Sequence, residues 1–231
     1  MAKKAKILVN PEKKIKVGLD EAGRGPILGP LVMVALAVDE EGEKKLQWLG
    51  VKDSKQLSSS VREELFERIR EVVLDFRVEM IEPDAIDLSM KESNINWLEA
   101  DTSSRMVSEL NPDIVIIDCP SPNIEHYKHY FSEHLTPEVR KKANLIVEHK
   151  ADINHIVVSA ASVIAKVIRD RQIEHIRSEI GIDFGSGYPS DPKTKEFLKN
   201  YYEQYAHLFR KMWRPYRDEV DKKKQKTLGE F

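Results

Sequence analysis

The hydrophobic pattern of the chain predicts five β-strands. Residues 15–21 and 75–82 alternate between apolar and polar side chains, which is typical of strands with one buried face. The stretch 31–38, "LVMVALAV", is apolar on both faces and indicates a central strand. Two shorter apolar runs, 112–118 and 144–150, complete the set.

Helical periodicity fills most of the remaining chain. Residues 58–74 begin with serines that can cap a helix and continue with amphipathic spacing. A helical region extends to about Leu110, and a long helix rich in small residues covers 156–180. After the turn-rich loop 181–192 we expect further helix to the end. This order predicts an α/β fold, a mixed five-stranded sheet with helices on both faces and a helical C-terminal cap.

Composition limits the class of protein. The chain has 231 residues, of which 41% are hydrophobic, so it can form a sizeable core. Its longest apolar run is too short to cross a bilayer, and we expect no membrane association. A single cysteine, Cys119, excludes an internal disulfide and favours a reducing compartment. We therefore expect a cytoplasmic protein or, in a nucleated cell, a nuclear one.

Charge is distributed unevenly although the net charge is only −2. Residues 1–16 carry six lysines and one glutamate, and residues 210–226 carry eight basic and three acidic residues. The middle segment 61–110 has six basic and thirteen acidic residues. Basic ends suit a polyanionic partner. The acidic middle is equally explained as a solvated surface.

Four acidic residues follow predicted strands. Asp20 and Glu21 lie together at the end of the first strand, Asp118 ends the fourth, and Asp152 follows the fifth. If the first and fourth strands are parallel neighbours, these carboxylates meet at one edge of the sheet. Their repulsion can be relieved by a shared proton, with raised pKa values, or by hard cations such as Mg²⁺. A solvated strand end explains any one acid, but the set favours metal, and two ions suit phosphodiester hydrolysis.

The glycines after Asp20 match neither common nucleotide-binding loop. Gly23, Gly25 and Gly29 are spaced G-x-G-x-x-x-G, and no lysine follows them as in a P-loop. They allow the backbone to approach a ligand closely, and Arg24 can contact phosphate. For Gly29, a tight turn explains the residue equally well.

Six segments, which span residues 15 to about 192, resemble type 2 ribonuclease H, or ribonuclease HII, and above all its archaeal branch. They are "DEAGRGP", "VKDSKQLS", "IIDCP", "HKAD", "SAASVIAKVIRD" and "GSGYPSD". The resemblance implies a ribonuclease H-like fold. It also implies a catalytic domain over 1–190 and a helical cap with a basic tail over 191–231.

The resemblance implies that four acids form the catalytic metal site, namely Asp20, Glu21, Asp118 and Asp152. Asp170 is a rival for the fourth position, but it lies about five turns inside the long helix, where a surface ion pair explains it better. On a regular strand Glu21 faces away from Asp20, so its side chain or its main chain can serve the site. The expected cofactor is Mg²⁺ or Mn²⁺, with two divalent ions in the site.

The resemblance also implies a set of substrate-binding residues. Gly23, Arg24 and Gly25 would bring main-chain groups to the ribose 2′-hydroxyl and its phosphate. Tyr188 would stack on the neighbouring deoxyribose. The 2′-hydroxyl is the group that separates RNA from DNA at one nucleotide, so a reader for it is needed. Lys55 is a candidate phosphate contact, although a solvated lysine explains it as well.

These expectations combine into one function. We expect an endonuclease that cuts RNA paired with DNA and also cuts 5′ of a single ribonucleotide embedded in duplex DNA. Water activated by divalent metal would leave 3′-hydroxyl and 5′-phosphate ends. The alternatives are another carboxylate-metal nuclease or integrase, and a non-catalytic nucleic-acid-binding module. We expect a monomer.

The C-terminal sequence "QKTLGEF" places Gln225, Leu228 and Phe231 in a Q-x-x-L-x-x-F pattern. This pattern resembles the peptides with which archaeal and eukaryotic replication proteins bind a sliding clamp. A single tight turn would put Leu228 and Phe231 on one face. The alternative is a basic tail whose lysines contact DNA phosphates.

Overall fold

The computed structural model describes residues 13–51 and 58–228, with side chains described as far as Lys223. The five strands are β1 (Lys16–Ala22), β2 (Leu31–Val38), β3 (Asp75–Ile81), β4 (Ile114–Asp118) and β5 (Asn144–Glu148). The first six helices are α1 (Glu40–Trp48), α2 (Ser59–Val72), α3 (Pro83–Glu92), α4 (Ile95–Leu110), α5 (Ile124–Glu133) and α6 (Pro137–Lys142). The others are α7 (Ala151–Asn154), α8 (Ile156–Ile180), α9 (Pro192–Tyr201) and α10 (Arg214–Leu228), with a 3₁₀ turn at Ala206–Leu208.

The strands form one sheet in the order β3-β2-β1-β4-β5. β1 pairs with β4 in parallel, with Lys16 opposite Ile114, and β4 pairs with β5 in parallel, with Ile114 opposite Asn144. Parallel neighbours need a long crossover connection, and the helices between these strands provide it. The condition for Asp20 and Asp118 to meet, parallel pairing of the first and fourth strands, is therefore fulfilled.

Strand β2 lies inside the sheet, and all eight of its residues are buried. Because alternate side chains point to opposite faces, burial of every residue means that both faces of the sheet are covered at this strand. The apolar run "LVMVALAV" predicted this position correctly.

Strand β1 and helix α8 approach each other closely at Gly18. A Cβ atom at this position would lie 2.6 Å from the backbone carbonyl carbon of Val157. Only glycine permits such an approach, because any side chain would push the start of α8 off the strand. This contact places the beginning of α8 against the strand that carries Asp20.

The helix predictions were mostly confirmed, but some short helices were not predicted. Ser58 caps α2, since its side chain accepts a hydrogen bond from the Val61 N–H at 3.4 Å. Helix α1 was not predicted, because only Gly42 and Leu46 of its nine residues are buried and so its apolar face gives little periodic signal. The region before Leu110 is two helices, α3 and α4.

The described residues group into two compact units. The first unit contains residues 13–21, 33–51, 58–79 and 99–167, and the second contains 22–32, 80–98 and 168–228. The second unit has its own hydrophobic core, in which Phe197 lies 5.4 Å from Phe184 and 5.6 Å from Phe209 between ring centroids. The functional division at residue 190 remains a prediction. Among the described helices, none has the length and apolar character needed to span a membrane.

Candidate active site

The ends of two parallel strands bring aspartates together in the first unit. Asp20 lies near the end of β1, and Asp118 is the last residue of β4. The paired residues that precede them, Leu19 and Ile117, lie directly opposite each other. The two aspartates therefore occupy equivalent positions on neighbouring strands, at the carboxyl end where open α/β sheets place their sites.

Four carboxylates line a common pocket at this edge of the sheet. They belong to Asp20, Glu21, Glu99 and Asp118, and we call this site the acid pocket. Asp20 is 8% exposed and Glu99 only 1% exposed, so at least two of the acids are withdrawn from water. Burial of several like charges in one place requires compensation by protons or cations.

Asp20 shows the consequence of this crowding. Burial raises its pKa well above the usual range, and the neighbouring carboxylates of Glu21 and Asp118 raise it further. Hydrogen bonds from the Ser162 hydroxyl and from the Glu21 N–H, at 2.8 Å from Oδ1, oppose the shift but do not cancel it. Crowding and burial therefore make Asp20 easier to protonate than an ordinary aspartate.

Asp152 lies in the short helix α7 and is 8% exposed. The preceding residue, Ala151, donates its N–H to Oδ1 of Asp118 at 3.2 Å, which connects α7 to the end of β4. Asp170, the rival candidate, belongs to the second unit and is partly exposed on α8. The first unit thus contains all four acids that the motifs indicate, Asp20, Glu21, Asp118 and Asp152.

Among the described residues, no three His, Cys, Asp or Glu side chains are already arranged as ligands around a single point. The donor set nevertheless fits a hard cation in its chemistry, because the acid pocket provides carboxylate oxygens and concentrated negative charge. Carboxylates that repel one another would separate without a cation and converge when one binds.

Sequence reasoning missed two residues of this site. Glu99 was not considered, although it is in helical phase with Ser103, Met106 and Leu110, all buried on α4. An acid within a buried stripe is the signal that would have identified it. Ser162, which hydrogen-bonds Asp20, lies in "SAAS" and resembled ordinary small-residue packing.

The predicted substrate-binding residues other than Lys55 lie in the second unit. Residues 23–29 form what we call the glycine–arginine loop. Gly23 has a φ of +87°, which favours glycine, and Arg24 donates from Nη2 to Oδ1 of Asn96. Gly25 is exposed, and a Cβ atom there would lie 3.4 Å from Cε1 of Tyr188. The fold therefore brings Gly25 and Tyr188 together, and their roles in substrate binding stay predictions.

A buried arginine that was not predicted as a site residue holds this loop. Arg210 is 0% exposed, and its guanidinium donates to the carbonyl oxygens of Gly23 at 2.6 Å, Arg24 at 2.9 Å and Gly29 at 2.9 and 3.1 Å. Its own N–H donates to the Ile27 carbonyl at 2.9 Å. Hydrogen bonds from Arg210 thus fix the backbone conformation of the glycine–arginine loop.

Two predicted sites fall wholly or partly outside the described structure. Lys55 lies outside the described residues. Of the three clamp-binding candidates, Gln225 and Leu228 belong to the last turns of α10, where only the backbone is described, and Phe231 lies outside the described residues. These assignments stay predictions.

Most of the chain, including the candidate site, matches a known protein family. The family model for Ribonuclease HII matches residues 17–215. Ribonuclease HII of Pyrococcus abyssi (strain GE5 / Orsay) is 41% identical over 221 residues, which cover 93% of this chain and 96% of that protein. Ribonuclease HII of Methanococcus maripaludis (strain S2) is 46% identical over 208 residues, with 87% and 84% covered.

Solved structures give the same result. The ribonuclease H2 from Pyrococcus horikoshii OT3 has a TM-score of 0.82 at 38% identity, with 90% of this chain and 98% of that one covered. The RNase HII in the PCNA:RNase HII complex from Archaeoglobus fulgidus has a TM-score of 0.73 at 40% identity, with 80% and 86% covered.

Proposed function

Because the chain belongs to the ribonuclease HII family, and therefore has ribonuclease H activity on RNA/DNA hybrids, we propose that it also cuts duplex DNA on the 5′ side of a single embedded ribonucleotide. The predicted enzyme class and the ribonuclease H-like α/β fold are confirmed by this membership and by the matching structures. A non-catalytic nucleic-acid-binding module and an integrase are thereby set aside.

The observation that carries the proposed chemistry is the acid pocket. Asp20 and Asp118 occupy equivalent positions at the carboxyl ends of two parallel strands, with Glu21 and Glu99 beside them. Oxygen donors with concentrated negative charge suit Mg²⁺ or Mn²⁺. We assign Asp20, Glu21, Asp118 and Asp152 as the groups that would hold two such ions.

When bound, the divalent ions would supply an activated water and stabilise the charge that develops on the phosphate. The chain's own residues supply the positioning. Ser162 and the Glu21 N–H fix the carboxylate of Asp20, and the Ala151 N–H fixes that of Asp118. Water would attack the phosphorus and the bond from phosphorus to the 3′ oxygen would break, so that the products carry 3′-hydroxyl and 5′-phosphate ends.

In this mechanism the ribose 2′-hydroxyl serves recognition instead of attack. We assign Gly23, Arg24 and Gly25 as main-chain and side-chain contacts to the hydroxyl and its phosphate, and Tyr188 as the ring that stacks on the adjacent deoxyribose. The proximity of Gly25 to the Tyr188 ring supports this assignment. Lys55 is kept as a candidate phosphate contact.

The decisive experiment uses a labelled DNA duplex that contains one ribonucleotide. In Mg²⁺ we expect one cut on its 5′ side, with no cut in the all-DNA duplex and none after addition of EDTA. Mass spectrometry of the fragments should find 5′-phosphate and 3′-hydroxyl ends. A 2′,3′-cyclic phosphate would contradict water as the nucleophile, and a cut only in longer RNA stretches would contradict the single-ribonucleotide activity.

We also propose that the C-terminal tail binds a sliding clamp through Gln225, Leu228 and Phe231. The relative from Archaeoglobus fulgidus forms a complex with PCNA, which supports a clamp as a partner. The backbone of α10 is helical as far as Leu228, so Gln225 and Leu228 lie three residues apart on one side of a helix.

Calorimetry with the full chain and Archaeoglobus fulgidus PCNA tests this assignment. We expect saturable binding that Phe231→Ala removes and that persists in moderate salt. The control variant, Lys222→Ala, should bind nearly as well as the wild type. Binding that survives Phe231→Ala but disappears as salt rises would show that the tail acts only through charge.

A further inference from the structure

Arg169, on the part of α8 that lies in the second unit, is an unusual buried residue. It is only 2% exposed, and its burial lowers the pKa of the guanidinium, opposed by Tyr188 and Asp170. Its Nε and Nη2 atoms are buried and have no hydrogen-bond acceptor among the described residues. These two atoms form the edge with which arginine normally makes paired hydrogen bonds. Burial of these donors without acceptors costs free energy of folding. A role of Arg169 other than hydrogen bonding would explain why the side chain is buried here.

The neighbours of Arg169 provide that explanation. Its guanidinium lies over the ring of Tyr188, with Cζ 5.6 Å from the ring centroid. A Cβ atom at Gly23 would lie 2.2 Å from Nε, and one at Gly187 would lie 3.5 Å from Nη2. The arginine is therefore packed directly against the glycine–arginine loop on one side and the Gly187–Tyr188 segment on the other.

Arg210 provides an internal comparison within the same unit. Both arginines are buried beside the glycine–arginine loop, but Arg210 donates to three loop carbonyls, whereas the Nε and Nη2 edge of Arg169 finds no acceptor in the described structure. Arg210 thus shapes the backbone through hydrogen bonds. Arg169 acts through the face of its guanidinium, by stacking and by close contact.

We propose that Arg169 is a positioning residue that sets the Tyr188 ring relative to Gly23 and thereby favours cleavage where a deoxyribose follows the ribonucleotide. The proposal rests on the proposed role of Tyr188 in reading the substrate. A flat, charged side chain over the ring restricts its tilt, and the absence of a Cβ at Gly23 lets that side chain reach the loop. Lysine has neither the flat charged group nor the ability to stack on the ring, because its ammonium is a point charge on a flexible chain.

A double-mutant cycle tests the proposal. The variants are Arg169→Lys, Arg169→Gln, Tyr188→Ala and the combinations with Tyr188→Ala. The substrates are a duplex with one ribonucleotide and a continuous RNA/DNA hybrid. We expect Arg169→Gln to lower kcat/KM on the single ribonucleotide about tenfold more than on the hybrid. In that background Tyr188→Ala should cost much less than in the wild type, because the two residues act together.

Arg210→Lys serves as the matched control, since it alters a buried arginine beside the same loop. Its effect should add to that of Tyr188→Ala, and it should lower cleavage of both substrates by similar factors. Rates are compared below the melting temperature of each variant. If Arg169→Gln does not fold, Arg169→Lys carries the same test, with a smaller expected loss.

Two results would overturn the proposal. One is additive behaviour of Arg169 and Tyr188 variants, and the other is an equal loss on both substrates, since either would mean a purely structural role. A different result would refute the proposed function. If the wild type cuts the hybrid but not the single ribonucleotide, that activity is refuted, while the coupling between Arg169 and Tyr188 is still measured on the hybrid.

Discussion

The acid pocket and the glycine–arginine loop both bury charge, but they compensate for it in opposite ways. In the acid pocket, carboxylates crowd one another, and the pKa of Asp20 is raised by burial and by its neighbours. In the loop, Arg210 is equally buried but donates to backbone carbonyls within 2.6–3.1 Å. The first region concentrates carboxylates in one pocket, and the second uses a buried positive charge to define the shape of a loop. Variants in the first should therefore cost activity and spare stability, whereas removal of Arg210 in the second should mainly cost stability.

The largest effect is expected for Asp118→Asn. Asparagine keeps the shape of the side chain but removes the charge that holds a hard cation, which is worth several kcal/mol, so cleavage of the hybrid should fall at least ~1000-fold. Melting in EDTA should show an intact fold. Asp101→Asn, at an exposed residue on α4, is the control and should cleave normally. Wild-type cleavage by Asp118→Asn in Mg²⁺ would refute its role as a ligand.

The next effect is on stability and concerns Arg210→Met. This change leaves the carbonyls of Gly23, Arg24 and Gly29 without their donor, which should cost about 3–5 kcal/mol. For a chain of this size the melting temperature should fall by roughly 10 °C. Arg214→Met removes a solvent-exposed arginine and should have little effect. If both variants melt alike, Arg210 does not hold the loop.

A smaller loss is expected for Gly23→Ala, measured by urea unfolding against Gly181→Ala. Both glycines have positive φ, +87° and +66°, so alanine strains the backbone at each by about 1–2 kcal/mol. Nothing lies within 4 Å of a Cβ at Gly181, whereas one at Gly23 meets Arg169 Nε at 2.2 Å and the Pro30 carbonyl at 2.8 Å. The difference between the two losses in the free energy of unfolding measures what the close packing at Gly23 contributes. Equal losses would mean that the arginine moves aside freely.

The smallest effect is a gain of stability in Asp20→Asn without metal. Because burial and the neighbouring carboxylates raise the folded-state pKa of Asp20 above the ordinary aspartate value of 3.8, folding favours the protonated form, and stability falls as pH rises from 3.8 through the folded pKa. Asparagine avoids this loss, so the variant should melt a few degrees higher than the wild type in EDTA at neutral pH. The difference should shrink as pH falls towards 3.8. A lower melting temperature at neutral pH would contradict the crowding of charge.

Sequence patterns predicted the sheet and the metal-site candidates because both depend on local signals. The strand containing Asp20 alternates and the strand ending at Asp118 is apolar, and the structure pairs them in parallel, which is the condition under which their acids meet. Among the acids, the position of Asp152 beside the end of β4 agrees with the motif, although its role stays a prediction.

The buried arginines and Glu99 could not be predicted in the same way. Arg210 was counted within the basic C-terminal stretch that suits a polyanion, but it is 0% exposed and therefore cannot belong to a charged surface. Arg169 lies in a motif whose small residues gave no reason to expect a buried charge. Burial of a charged side chain depends on partners distant in sequence, such as Gly23 for Arg169, and local periodicity contains no information about them.

The pairing of β1 with β4 has a consequence for the order in which the enzyme forms. Ile15, just before β1, donates its N–H to Asp113, just before β4, at 2.7 Å across 98 residues of sequence. Closing so long a loop is slow, because its entropy must be lost before the contact forms. During synthesis β1 waits with one edge unpaired until β4 has been made, and that edge can pair with other chains. The same event that covers this edge of β1 brings Asp118 next to Asp20, so assembly of the acid pocket and protection of the edge arise in a single folding step.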